Sequence, residues 1–145
     1  MIAVDTNVLV AAHRRDHPGY AQAANAIKRL AEGRESWALP WPCVHEFLAI
    51  ATHPRIFDPP STIARALDQV DAWLESPTVV LISEGSEHRA TLSRLLTAGS
   101  VTGPRVHDAR IAALCLDHGV RALWTADRDF SRFPELATEN PLIDS

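Results

Sequence analysis

Residues 120–130 read VRALWTADRDF. An apolar run passes straight into two carboxylates, Asp127 and Asp129, with no glycine or proline to announce a turn. Near the start, residues 2–5 read IAVD and repeat the pattern, an apolar triplet followed by Asp5. Short continuous apolar runs suit strands buried on both faces of a sheet. Such strands need helices to cover them, and the sequence between them supplies helices.

TNVLVAAHR turns into a short helix with Thr6 or Asn7 near its start. Residues 17–32 predict an amphipathic helix closed by Gly33, with Tyr20, Ala23, Ile27 and Leu30 at helical spacing. SWALPW is a brief strand ended by Pro40, and Pro42 opens a helix running to about His53. HPRIFDPPS is a loop. Ser61 is placed to cap a helix over 62–75, in which Ile63, Leu67, Val70, Trp73 and Leu74 recur. TVVLI, residues 78–82, is a strand rich in β-branched residues. Ser86 starts a helix to about Ala98, and HDARIAALCLDHG forms one ended by Gly119. PLIDS is expected to hold an edge strand. The alternation predicts an α/β fold: a three-layer α/β/α sandwich with a short, mainly parallel central sheet, residues 1–145 forming one domain.

Composition agrees with that size. The chain is 46% apolar, enough for a core without disulfides or structural metal. Cys43 and Cys115 sit inside apolar segments and read as small buried hydrophobes in a reducing compartment, although counting alone does not decide against a disulfide. No basic leader precedes the first strand, and no apolar stretch approaches the roughly 20 residues that span a bilayer. The chain is therefore expected to be cytoplasmic and away from membranes. With 14 basic and 18 acidic residues the net charge is −4, which argues against indiscriminate nucleic-acid binding. Lys28 is the sole lysine, so positive charge comes almost wholly from arginine, which pairs bidentately with phosphate and carboxylate.

Parallel strands share one carboxyl edge, and ligands of such sheets bind beyond it. Asp5 and Asp127 leave their strands at that edge. Asp108 falls in the first turn of its helix and Glu46 in the first turns of the helix after WALP, and helix N-termini face the same edge. Each alone has a plainer reading. Asp5 can cap the next turn, Asp108 can complement a helix dipole, and Asp127 or Asp129 can solvate a loop. Glu46 is harder to set aside, because Cys43, Phe47 and Ile50 flank it and a stray buried carboxylate is costly. Taken together, the convergence suggests a site. Clustered carboxylates raise one another's pKa and remain charged together when a cation joins them. An all-oxygen set suits Mg²⁺ or Mn²⁺, one ion or two. Such an ion can activate water and stabilise charge on a phosphate, so the chemistry indicated is phosphoester hydrolysis. Asn7, Thr125 and Asp129 are accessory candidates, able to hold a carboxylate, a water or the phosphate.

DTNVLV, HEF, HDARIAAL and TADRDFSRFP, in this order and spacing, resemble the PIN-domain ribonucleases, and within them the VapC-type toxins of toxin–antitoxin pairs. The resemblance spans nearly the whole chain. It implies a divalent-metal-dependent endoribonuclease with Asp5, Glu46, Asp108 and Asp127 as the acidic positions. Asp5 and Asp108 would bind the central ion, Asp127 directly or through water, and Glu46 would hold a second ion or position the attacking water. It also implies a homodimer and a cognate antitoxin that blocks the acidic groove, giving a heterotetramer or larger assembly.

Arg14, Arg15, Arg105, Arg110 and Arg128 are candidates to meet RNA phosphates or antitoxin carboxylates, with solvated surface the plainer reading of each. Trp37, Trp41, Trp73 and Trp124 are expected in the core rather than as base-stacking platforms. The pairs His13/His17 and Cys115/His118 have helical metal-ligand spacing but no second pair beside them. Rival readings are a non-catalytic PIN-like binding module, a receiver-like domain and a phosphatase with an acidic Mg²⁺ pocket. A receiver wants a lysine near a late strand, and Lys28 lies early. The phosphatase wants D-x-D-x-T after the first strand, where this chain has DTNVL.

Overall fold

The computed structural model describes residues 1–143. Four short strands follow the apolar runs: β1 (Ile2–Val4), β2 (Trp37–Pro40), β3 (Val79–Ile82) and β4 (Ala122–Trp124). A fifth, β5 (Thr138–Glu139), completes the sheet in the order β3-β2-β1-β4-β5, with every pairing parallel. β1 sits in the middle, Ala3 facing Ala38 on one side and Leu123 on the other. Its residues are almost fully buried, as a strand covered on both faces requires.

Six helices connect the strands: α1 (Thr6–His13), α2 (Tyr20–Glu32), α3 (Trp41–Ala51), α4 (Ile63–Leu74), α5 (His88–Ala98) and α6 (Val106–Asp117). They cover both faces of the sheet, giving the expected three layers. α1 packs on α2 and α3, α3 on α4, and α5 on α6. Trp37, Phe47, Leu9, Leu39 and Leu114 are among the largest fully buried side chains of the common core. The indole of Trp37 is not left polar and unpaired: its Nε1 donates to Ser76 Oγ at 3.0 Å, which itself donates to the Ala31 carbonyl at 2.8 Å.

Helix ends show where local chemistry decides and where it does not. α6 stops as expected at Gly119, whose φ of +70° is the left-handed conformation that glycine adopts without a side-chain clash. The Val120 amide then reaches back to the Cys115 carbonyl at 2.9 Å. α4 is capped by Thr62, which accepts the Arg65 amide at 3.2 Å, and not by Ser61. The Ser61 hydroxyl is engaged elsewhere, by His13 and Arg14. α2 begins at Tyr20 rather than residue 17, after a turn in which the Gly19 amide donates to His17 Nδ1. α5 begins at His88 rather than Ser86.

The edge strand lies at Thr138–Glu139, not in PLIDS. Residues 141–143 form a turn and bend, and Asp144 and Ser145 of that expectation lie outside the described residues. β5 is polar and exposed, held by ladder bonds from the Leu123 amide to the Ala137 carbonyl and from the Thr125 amide to the Glu139 carbonyl, each 2.9 Å. Cys43 and Cys115 are free, buried thiols. No helix of the described residues is long and apolar enough to cross a membrane.

Candidate metal-binding acidic site

At the end of β1 the Asp5 amide stays in the sheet, donating to the Trp124 carbonyl at 2.9 Å. The residue then leaves the strand with extended geometry and becomes the N-cap of α1. Its carboxylate is heavily engaged. Oδ1 accepts the Thr6 amide at 2.8 Å and the Cys43 thiol at 3.5 Å. Oδ2 accepts the Thr125 hydroxyl at 2.8 Å and the Asn7 amide nitrogen at 3.3 Å. Asp5 is 7% exposed, and this burial raises its pKa against the lowering effect of those hydrogen bonds, with Glu46 adding a smaller upward push. The capping and site readings of Asp5 are thus compatible: one carboxylate starts the helix and faces the sheet edge.

Asn7 and Thr125 tie the turn after β1 to the turn after β4. Asn7 Nδ2 donates to Thr125 Oγ1 at 3.1 Å, and Asn7 Oδ1 accepts the Ala126 amide at 3.0 Å. Thr125 Oγ1 accepts the Asp127 amide at 3.0 Å. Asp127 in turn caps a short 3₁₀ turn over Arg128–Arg132, accepting the Asp129 amide at 2.8 Å. Phe130 and Phe133 are both about fully buried and meet edge to face at 6.1 Å, so the loop is anchored to the core.

Asp108 arrives from the first turn of α6, as its position in the sequence predicts. Oxygens of Asp108, Asp127 and Asp129, all half-buried, lie within 4.8 Å of one another. Asp108 bears the electrostatic consequence. Its pKa is pushed up to about 6, first by burial and then by the negative charges of Asp127, Asp5 and Asp129, against a smaller opposing effect of Arg105.

Glu46 stands apart from these three. It is exposed, so the expectation that its apolar helical neighbours bury it does not hold; α3 turns that flank to solvent while Cys43 and Phe47 face inward. It remains close to the first strand's turn, because Thr6 Oγ1 donates to Glu46 Oε2 at 3.3 Å. Thr6 and Cys43 are the members of this network that the sequence reading missed. The signal available for Cys43 was its position three residues before Glu46, on the inner side of the same helix.

The candidate arginines divide. Arg14 is built into the structure: its guanidinium pairs with Asp16 at 2.7 Å, donates to Ser61 Oγ and the Pro59 carbonyl, and lies 4.2 Å over the Phe57 ring. Arg110 pairs with Glu84. Arg105 enters the acidic group itself, its Nη1 standing 2.7 Å from Asp129 Oδ2. Arg15 and Arg128 are exposed and form no ion pair among the described residues. Of the tryptophans, Trp37 and Trp73 are buried and Trp124 half-buried, but Trp41 is 37% exposed. It begins α3 at the sheet edge and stands against His45, ring centroids 5.8 Å apart. The histidine pairs are occupied otherwise, His13 with Gln69 and Ser61, and His118 with the Ser83 carbonyl.

The family model for the PIN domain matches residues 2–136 of this chain. The chain belongs to the PIN-domain family. Within that family it is similar to ribonuclease VapC43 of Mycobacterium tuberculosis, 34% identical over 143 residues, covering 98% of this chain and 96% of the relative. Among solved structures, VapBC2 of Rickettsia felis, bound to a DNA fragment from its promoter, superimposes with a TM-score of 0.70 at 20% identity, covering 97% and 98% of the two chains. VapC20 of Mycobacterium tuberculosis, a sarcin–ricin loop cleaving toxin, gives 0.66 at 15% identity over 90% and 93%. At those identities the likeness speaks for the fold, and the carboxyl edge of this PIN domain is where its aspartates gather.

Proposed function

We propose that the protein is a divalent-metal-dependent endoribonuclease acting as the toxin of a toxin–antitoxin pair. The observation that carries the reading is the gathering of Asp108, Asp127 and Asp129 at the carboxyl edge of the sheet, beside the buried carboxylate of Asp5. The donor set fits the ion: hard oxygens only, mutually repelling, on elements fixed to the core. Mg²⁺ or Mn²⁺ suits such donors better than zinc does. When bound, the ion would lower the pKa of a water and offset charge on the scissile phosphate.

The protein's own residues have separable tasks in this reading. Asp5, Asp108 and Asp127 would hold the ion, the oxygens of Asp5 being fixed by Thr6, Cys43, Asn7 and Thr125. Glu46, exposed on the α3 rim and steadied by Thr6, orients the attacking water or receives its proton. Thr125 and Asn7 set the distance between Asp5 and Asp127. Arg15 and Arg128, unpaired among the described residues, are free to meet the RNA backbone in a salt-dependent way.

A cognate antitoxin and a homodimer belong to the same proposal. The relatives' names place them among VapC ribonucleases, and the R. felis structure holds a VapBC complex. On this chain, Ile63 and Leu67 stand 56% and 46% exposed, one turn apart on α4, an apolar pair that a second chain would cover.

The test is cleavage of RNA by the purified chain with EDTA, then with Mg²⁺ or Mn²⁺ restored. Cleavage is expected only with the ion, and expected to vanish in Asp5→Asn, Glu46→Gln, Asp108→Asn and Asp127→Asn proteins that keep their circular dichroism. Full cleavage by Asp5→Asn would sink the assignment of the site.

A further inference from the structure

The three gathered aspartates are not equivalent. The Asp127 carboxylate accepts the Asp129 amide, and the Asp108 carboxylate has no hydrogen-bond or ion-pair partner among the described residues. Asp129 alone has an oxygen ion-paired with a guanidinium: Arg105 Nη1 stands 2.7 Å from its Oδ2, close in distance although not aligned as a hydrogen bond. Arg105 closes the 3₁₀ turn Gly103–Arg105 that leads directly into α6, so it approaches from the same segment that delivers Asp108. It also lies within the field of Asp108 and Asp127.

We propose that Arg105 is a positioning residue: it holds Asp129 partly withdrawn from a cation bound by Asp108 and Asp127, and thereby keeps the site's affinity for the ion low. This rests on the metal-site reading above. A carboxylate shared with a guanidinium offers less charge to a second cation, and arginine does not release the pair by losing its proton. Release requires the side chain to swing away. The Nη1 that faces Asp129 is buried, while the Arg105 side chain as a whole is 39% exposed and so has solvent beside it to swing into. The pair thus makes Asp129 a conditional ligand, engaged only when Arg105 finds another anion, such as an RNA phosphate entering the groove.

The test is calorimetric titration of the metal-free full-length protein with Mn²⁺, with no RNA present. Arg105→Ala is expected to bind Mn²⁺ more tightly, by about threefold or more, because Asp129 is then free to join. Arg105→Lys, which keeps the ion pair, is expected to stay within about twofold of wild type. Asp129→Asn in the wild-type background is expected to weaken binding little, and in its presence the gain from Arg105→Ala is expected to disappear. Two outcomes overturn the proposal. One is an Arg105→Ala protein that binds no tighter. The other is a gain that survives in Asp129→Asn, which would mean that Arg105 acts only as a nearby positive charge. A wild-type chain that takes up no Mn²⁺ at all would remove the metal-site reading, and this inference with it, so the two failures are distinguishable.

Discussion

Thr125 Oγ1 donates to Asp5 Oδ2 at 2.8 Å across 120 positions of sequence. The same oxygen accepts from Asn7 Nδ2 and from the Asp127 amide. One donor and two acceptor sites are all a hydroxyl possesses, so Thr125 is fully used. Thr125→Val keeps the shape and removes every one of these bonds inside a buried site. It is expected to cost about 1–3 kcal/mol in urea unfolding and to depress cleavage. Thr125→Ser should recover most of both. An unchanged unfolding midpoint in Thr125→Val would show that the hydroxyl does not organise the site.

Asp108 gives a pH dependence with a definite sign. Its folded pKa, about 6, lies above the ordinary value of 3.8, because burial and neighbouring aspartates disfavour its charge. In the metal-free protein its contribution to stability is therefore full below the ordinary value and lost as pH rises through about 6. Asp108→Asn removes that loss, so it should raise the melting temperature of the metal-free protein at neutral pH by a few degrees while abolishing Mn²⁺ uptake. Because the ion competes with the proton, wild-type Mn²⁺ affinity should rise up to about pH 6 and then flatten. Thermal melts and titrations across this range check both halves.

Arg14 is expected to matter for stability rather than for RNA. Its ties to Asp16, Ser61, the Pro59 carbonyl and the Phe57 ring hold the loop before α4 against the end of α1. Arg14→Ala should lower unfolding free energy by about 1–3 kcal/mol. The salt dependence of RNA binding should be unchanged. A reduced salt slope with unaltered stability would reverse the assignment.

The exposed pair Ile63 and Leu67 predicts self-association. Light scattering at micromolar concentration should report about twice the single-chain mass of 15.9 kDa. Leu67→Glu, which places a charge in the apolar patch, should move the protein toward monomer without loss of helicity. A wild-type monomer would count against the dimer.

Much of this was legible in the residues because it depends on local rules. Apolar runs passing into aspartate located β1 and β4, and the first-turn position of Asp108 put it at the edge that helix N-termini face. What was not legible depends on who gets there first in three dimensions. Ser61 has the chemistry of a cap, but His13 and Arg14 claim its hydroxyl and Thr62 takes the role. Glu46 has apolar neighbours along its helix, yet cover comes from other elements, and none lies over it. Trp41 is exposed for a similar reason, since it starts α3 at the open edge of the sheet. β5 carries no apolar pattern, because its two polar residues are held by backbone bonds alone. Arg105 was visible as a basic residue near Asp108, but its choice of Asp129 is set by the docking of two loops.

The central place of β1 between β2 and β4 has a consequence for biosynthesis. Between Asp5 and the residues that complete its surroundings, Thr125 and Asp127, lie six helices and the strands β2, β3 and β4. The ordering cost of closing that long loop is met only when β4 docks. A growing chain therefore holds Asp5 without its neighbours until β4 has been made, and the acidic pocket comes into being in one late step.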